Sequence, residues 1–141
     1  MKYAKWMIAL TLVLLPGWAS AQLTQSERIV TNVPFGFTVA NKIVPEGKWT
    51  VQTTSPDGKL LMIRNTDAAM GFFVWASTSD IKKAPAKCAL VFTKYGNQRF
   101  LSGVEVEGIP AMYRLPESKA EAEIRAKNVP AVEENLLASM N

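Results

Sequence analysis

The sequence contains no histidine, and this absence removes the most common routes to catalysis. Histidine is the side chain most often used as a general base near neutral pH, and it activates many serine and cysteine nucleophiles. It is also a principal zinc ligand. The composition therefore argues against a Ser-His or Cys-His enzyme and against a histidine-based zinc site. We predict no catalytic residue, no metal site and no cofactor.

Cysteine is nearly absent as well, since Cys88 is the only one in the chain. A single cysteine excludes an intramolecular disulfide and a thiolate cluster. Cys88 precedes the apolar residues 89–92, and in such surroundings a thiol behaves as a small hydrophobic side chain. We predict that Cys88 is buried, and the alternative is a reactive thiol or an intermolecular disulfide.

The sequence also lacks the short motifs that bind phosphates or calcium. Its eight glycines are scattered among turns and form no phosphate-binding loop. Asp57 and Asp67 belong to no closely spaced run of oxygen ligands. The carboxylates of Glu105 and Glu107 would lie on one face of a strand, and paired carboxylates can catalyse glycoside hydrolysis. A small carboxylate-dependent hydrolase acting on carbohydrate is therefore an alternative function, although a solvent-facing row of charges explains the same pair.

Residues 1–21 have the organisation of a cleavable secretory signal peptide. Two lysines precede an apolar run over residues 6–15, which is shorter than the ~20 residues that a membrane-spanning helix needs. Ala19 and Ala21 supply the small side chains before the cleavage site, so the exported protein would begin at Gln22. We predict export to the periplasm or the medium, with no stable membrane span after cleavage. An uncleaved leader that retains a structural envelope component is the alternative.

The basic character of the chain is modest once this leader is set aside. The chain carries 16 Lys and Arg and 12 Asp and Glu, a net charge of +4. Two of the basic residues and none of the acidic ones lie in the leader, so the rest of the chain has a net charge of +2. A nucleic-acid-binding protein would show a clustered basic face. The densest basic group, Lys82, Lys83 and Lys87, is typical of a solvated loop, and we predict no nucleic-acid partner.

Residues 29–115 show the period of β-strands. Large apolar side chains alternate with smaller or polar ones over residues 33–39 and again over 48–54, and the turn between them predicts a hairpin. A second hairpin is predicted from residues 87–95 and 99–107, with glycine and asparagine at its tip. The spacing of the strands predicts a single mainly β domain, an antiparallel β-sandwich or a partly open barrel of about six to eight strands.

Aromatic residues are frequent after the leader, and most of them fall at strand positions that alternation assigns to a core. Residues 71–77 form a short, largely apolar run of strand length, which predicts burial on both faces. Residues 77–86 are polar and rich in lysine, so they predict a long surface loop. Tyr95 lies beside the tip of the second hairpin and is the aromatic residue that we most expect to be exposed.

Two further segments flank the predicted β domain. Residues 22–28 are polar and predict an extended lead-in. Residues 116–141 predict a short helix and a tail, because Ser118 and Glu121 have the spacing of a capping box at a helix start. Residues 131–140 are expected to form either a second short turn of helix or a frayed tail.

Four distinct segments are characteristic in their order and spacing: VPFGFTVANK at residues 33–42, PEGKWTV at 45–51, LVFTKYGNQRFL at 90–101 and RLPESKAE at 114–121. With these segments the chain resembles a family of small, uncharacterised exported bacterial proteins. The resemblance implies a signal peptide, a strand-rich domain and a short C-terminal helix. It implies no activity, ligand or functional residue.

These features together favour a function without catalysis. We expect a non-enzymatic binding or protein-interaction module of the cell envelope or the medium, with an envelope protein or a carbohydrate as its partner. The surface candidates for contact with that partner are Tyr95, Glu105 and Glu107.

Overall fold

The computed structural model describes residues 28–140, which form one curled sheet of eleven strands and one short helix. The predicted leader and residues 22–27 of the lead-in lie outside these described residues. The strands are β1 (Arg28–Val33), β2 (Phe37–Val39), β3 (Lys42–Val44), β4 (Gly47–Thr53), β5 (Leu60–Asn65), β6 (Met70–Trp75), β7 (Ser77–Asp80), β8 (Cys88–Tyr95), β9 (Gln98–Glu105), β10 (Ala111–Arg114) and β11 (Ala131–Met140), and the helix α1 (Lys119–Ala126) precedes β11.

The prediction of a mainly β fold with one short C-terminal helix is confirmed, and the sheet is an open, curled half-barrel. The number of strands exceeds the six to eight predicted, because four of them are only three or four residues long. Strands of that length do not produce separate apolar runs in the sequence.

The strands follow one another across the sheet in the order β3-β2-β9-β8-β11-β1-β4-β5-β6. β10 pairs with β9 away from this path, and β7 pairs with β10. The pairs are antiparallel except for β2 and β9, which are parallel. Among the described strands, β3 and β6 therefore form the two ends of the main path, and β11 lies at its middle.

Aromatic rings join the two halves of the curled sheet in its core. The Trp49 ring packs edge-to-face on Phe37, with 5.3 Å between ring centroids, and on Phe72 at 6.4 Å. Phe92 packs against Phe37 in the same manner at 5.2 Å. The indole N–H of Trp49 donates a hydrogen bond of 3.1 Å to the Pro45 carbonyl oxygen, so the buried polar atom is satisfied. These residues confirm that several of the aromatic side chains form the core.

The first predicted hairpin is built from different strands than predicted. Residues 33–39 are not one strand, because β1 ends at Val33 and β2 begins at Phe37. The predicted second strand, residues 48–54, corresponds to β4, but β4 pairs with β1 and not with residues 37–39. β2 pairs with β3 through a tight turn in which Ala40 and Asn41 have positive φ values of 47° and 68°. Two successive residues with positive φ are typical of a two-residue hairpin turn.

The second predicted hairpin is confirmed as β8 and β9. The first residue pair of this hairpin is Ala89 with Glu105, and the last, beside the tip, is Tyr95 with Gln98. Gly96 at the tip has a φ of 60°. A bulge shifts the register between β8 and β9 beside Val91. Because a bulge changes which residues share a face, strict alternation along β9 is lost.

Cys88 begins β8, and its side chain is buried as predicted, with 1% exposed. Its sulfur accepts a hydrogen bond from the Glu107 backbone N–H at 3.3 Å. The thiol therefore acts as a packed core group, and a disulfide with another molecule would require this part of the sheet to open.

Two segments predicted as loop or helix are strands. Residues 77–80, expected in a surface loop, form β7 and pair with β10. Residues 131–140, expected as a short helical turn or a frayed tail, form the ten-residue strand β11. β11 pairs with β8 over eight residue pairs and with β1 over two, so tertiary pairing overrides the local helix propensity of its Glu, Leu and Ala residues.

The helix α1 begins where the capping box predicted. The Ser118 side chain accepts a hydrogen bond from the Glu121 backbone N–H at 3.1 Å, which satisfies an amide of the first turn. Arg125 forms an ion pair with Glu117 at 3.0 Å, and Asn128 ends the helix with a φ of 57°.

Candidate functional site

The strongest candidate for a functional surface is the outer face of the hairpin formed by β5 and β6. Alternate residues of both strands point into the core and are buried. Phe73 and Trp75 point the other way and are 62% and 64% exposed. Met62 lies opposite Phe73 and Leu60 lies opposite Trp75, and both are partly buried. We call these four residues the β5–β6 apolar face.

The turn between β5 and β6 determines which residues reach this face. Asn65 is fully buried, and its side-chain oxygen accepts hydrogen bonds from the backbone N–H groups of Asp67 at 2.9 Å and Ala68 at 3.0 Å. This arrangement is typical of asparagine in turns. Because a one-residue slip exchanges the two faces of a strand, the turn keeps Phe73 and Trp75 on the outside.

β6 is also an edge strand with a free row of backbone groups. The N–H of Ala76 donates to the Lys59 carbonyl oxygen at 2.7 Å, so these residues form a hydrogen-bonded pair. Such pairs alternate along an antiparallel ladder. The backbone groups of Gly71, Phe73 and Trp75 therefore point away from β5, and no strand among residues 28–140 pairs with β6 on that side.

Gly71 leaves a gap at one end of the same face. It lies opposite Arg64, and a side-chain carbon added at Gly71 would lie 3.6 Å from Cγ of Arg64. The aliphatic part of the Arg64 side chain therefore lies beside the open space at Gly71. Arg64 adds a cationic group beside the otherwise uncharged row of β6 residues.

The prediction that Tyr95 is exposed is wrong. Its side chain is 6% exposed, and its ring packs edge-to-face on Phe100 with 5.8 Å between centroids. Its hydroxyl donates a hydrogen bond of 3.4 Å to the Glu121 carboxylate of α1. The helix covers the hairpin tip at this point, so Tyr95 stabilises the fold and is not available as a contact surface.

Glu121 is an unusual buried acid on the side of α1 that meets the sheet. Burial raises the pKa of its carboxyl, and the nearby negative charge of Glu117 raises it further. The hydrogen bond from Tyr95 and the charge of Arg125 act in the opposite direction. Burial likewise raises the pKa of Tyr95, with a contribution from the charge of Glu121. Because Glu121 and Tyr95 join α1 to β8, the stability of this contact depends on whether the Glu121 carboxyl is protonated.

Glu105 and Glu107 do not form the predicted row on one strand. Glu105 is the last residue of β9 and is partly buried, opposite Ala89 on β8 and Met112 on β10. Glu107 lies in the turn that follows, exposed, with its backbone N–H bonded to Cys88. The strand ends between the two residues, so the alternation that would align them does not apply.

Two concave features share Thr53 and Tyr113. The first is an apolar cavity of about 80 Å³, and none of its lining residues is charged. A cavity of ~150 Å³ is known to hold benzene, so this one has little room for an organic ligand. The second is an open groove whose lining includes Thr54 and Ser55, and the Ser55 hydroxyl already donates to Asp57. Neither feature assembles a reactive pair of side chains.

Residues 28–140 contain neither a candidate metal site nor a candidate membrane-spanning helix. No group of three or more acidic or cysteine side chains in this range is placed to hold a metal ion. The described part of the chain also contains no helix with the length and apolar character of a membrane span.

The chain matches no protein-family model, and no curated protein or solved structure shows significant similarity to it. The resemblance of its four sequence segments to exported bacterial proteins remains an expectation.

Phe73 and Trp75 were not recognised as surface residues from the sequence. Residues 71–76 are apolar throughout, and a short apolar run does not reveal whether one face or both are buried. Phe73 and Trp75 are exposed because no other described element covers the outer face of β6, and local sequence does not contain that information.

Proposed function

We propose that this protein is a non-enzymatic interaction module of the bacterial cell envelope or the medium, and that it binds a protein partner through the β5–β6 apolar face. The observation that carries the proposal is the exposure of Phe73 and Trp75 side by side on an edge strand. Export itself is part of the proposal and is supported by the organisation of residues 1–21.

The β5–β6 apolar face differs from ordinary exposed apolar residues. Single exposed side chains such as Ile43 are common on soluble proteins and need no explanation. Contiguous apolar patches are uncommon and mark contact sites. Here two aromatic side chains adjoin two aliphatic ones, and aromatic residues dominate the binding energy of many protein interfaces.

The proposal is tested by photo-crosslinking in the producing cells. A benzophenone-bearing phenylalanine replaces Phe73 in one variant and Leu137 in a matched control, since both side chains are 62% exposed on strands. We expect a discrete covalent adduct of defined mass from position 73 and none from position 137. Equal labelling at both positions, or no adduct at position 73, contradicts the proposal.

The carboxylate-dependent hydrolase is the weaker proposal. Its two candidate residues, Glu105 and Glu107, lie on a strand and in a turn respectively. We expect a Glu105→Gln and Glu107→Gln double variant to behave like the unmodified protein on a panel of glycosides. If the unmodified protein hydrolyses a glycoside and the double variant does not, the protein is a hydrolase and the proposal of a non-enzymatic interaction module is wrong.

A further inference from the structure

We infer that the partner is a second copy of this chain, joined by antiparallel pairing of β6 with β6 of the partner subunit. The inference rests on the proposed function, because it assigns an occupant to the same β5–β6 apolar face. It adds a specific register, in which the symmetry axis passes beside Phe73.

The edge of β6 lacks the features that keep edge strands apart. Such strands are usually protected by lysine, proline, a bulge or very short length. β6 has the sequence MGFFVW, with six residues and no charge or proline, and it pairs with β5 in unbroken register. A strand of this kind is a template for another strand, and when it stays uncovered it promotes aggregation.

The outward residues of β6 are complementary to themselves about a two-fold axis. With Phe73 opposite Phe73 of the partner subunit, Gly71 faces Trp75 of the partner subunit, and the reverse pair is identical. The backbone groups of all three outward positions point to the free edge, so each facing pair can exchange two hydrogen bonds. Isologous interfaces require this kind of self-complementary pattern.

Gly71 suits this register because it has no side chain of its own to cover its part of the face. In the proposed pairing the indole of Trp75 of the partner subunit lies opposite Gly71 and covers that gap. Aromatic side chains are known to cover glycine on a neighbouring strand. Arg64 lies opposite Gly71 on β5, with its Cγ 3.6 Å from the position that a Cβ at Gly71 would take, so an indole covering Gly71 has an arginine as its neighbour. A cation near the face of an indole is favourable.

The charges of the face also permit the pairing. β6 carries no charged side chain, so no like charges face each other across the axis. Arg64 lies one strand away from the axis, in the row of Gly71 and not in the row of Phe73. Two copies therefore meet through an uncharged centre with cationic groups at either side.

The expected interface is small. An aromatic side chain buries ~150–250 Å², so Phe73 and Trp75 of two copies, about two-thirds exposed, contribute roughly 500 Å². Met62, Leu60 and the two strand edges add to this. The total falls in the small class, below about 1,200 Å², which is typical of weak and reversible association. We therefore expect a dimer whose population depends on concentration.

The test is sedimentation equilibrium over a concentration series, with the chain expressed from its own N-terminus and purified in the form that the cell produces. Phe73→Lys and Phe73→Glu each place like charges opposite one another across the axis, which disfavours cross-strand pairing. The control is Leu137→Lys, an equally exposed position on the outer face of β11. Circular dichroism and thermal unfolding verify that all variants fold.

We expect the unmodified protein and Leu137→Lys to dimerise alike, and each Phe73 variant to dimerise at least about tenfold more weakly. An equimolar mixture of Phe73→Lys and Phe73→Glu should restore association, because only the mixture pairs opposite charges at the axis. A monomer at every concentration, or a mixture that associates no better than its components, overturns the inference. If a crosslinked adduct from position 73 then has the mass of a different protein, the proposed function stands without the second copy.

Discussion

Two adjacent leucines of β11 allow the placement of that strand to be tested by substitution. Leu136 lies opposite Leu90 of β8 and packs against the core, whereas Leu137 lies opposite Ala89 and is 62% exposed on the outer face. The two side chains are identical in type and adjacent in sequence. We expect Leu136→Ala to destabilise the protein and Leu137→Ala to leave its stability nearly unchanged.

The size of the effect follows from burial. Leucine to alanine at a fully buried position costs ~2–5 kcal/mol, so the partly buried Leu136 should cost about 2 kcal/mol. The entropy of unfolding is ~2.1 cal/mol/K per residue, so for about 110 residues this corresponds to a melting temperature about 8 °C lower. Leu137→Ala should stay within ~0.5 kcal/mol, or about 2 °C.

Urea unfolding followed by tryptophan fluorescence measures both variants, because Trp49 lies in the core that β11 completes. The midpoint should fall for Leu136→Ala with an unchanged slope. If the two substitutions cost the same, the alternation of β11 is wrong. If neither has an effect, residues 131–140 form a frayed tail, as the sequence first indicated.

Three further predictions concern Glu121, Cys88 and the N-terminus. Because the folded pKa of Glu121 is raised above its ordinary value of 4.5, its contribution to stability is lost as pH rises from about 4.5 through the folded pKa. Glu121→Gln has no carboxyl to titrate, so its free energy of unfolding in urea should not show this decrease. The same pH dependence in the unmodified protein and in Glu121→Gln would refute the prediction. Cys88 should react with a thiol reagent only as fast as the protein unfolds, so complete labelling of the native protein within minutes would contradict its burial. N-terminal sequencing of the exported protein should begin at Gln22, and an intact Met1 would favour the retained leader.

Local sequence was sufficient wherever a short segment determines its own structure. The β8–β9 hairpin was predictable because two segments of strand length, rich in apolar residues, flank a glycine that tolerates positive φ. The start of α1 was predictable because the Ser118 side chain caps an amide three residues away. Cys88 was predictable because its neighbours in sequence are also its neighbours in the core.

Sequence failed where distant pairing decides the structure. β11 contains good helix formers and shows little apolar alternation, yet β8 and β1 supply partners for its backbone over most of its length. β7 is entirely polar and is a strand because β10 lies beside it. For both segments, the partner strands lie far along the chain or beyond a loop, so a local pattern contains no trace of them.

The candidate site was missed for a related reason. Tyr95 was expected on the surface because hairpin tips usually are exposed, but α1 returns from further along the chain and covers it. Phe73 and Trp75 were expected inside because their segment is apolar throughout. Which face of a strand stays uncovered depends on the whole topology and on where α1 packs, and here the exposed aromatic side chains lie on β6 and not on the β8–β9 hairpin.

Amide hydrogen exchange along β6 measures whether a second copy of the chain covers the free edge of this strand. The amides of Phe72 and Val74 bond to β5 and should exchange slowly at every protein concentration, whereas those of Gly71, Phe73 and Trp75 face the free edge. We expect the outward amides to exchange rapidly in dilute protein and to become protected as the concentration rises and β6 is covered. Outward amides that exchange at one fast rate at all concentrations, with no partner that slows them, would contradict the account.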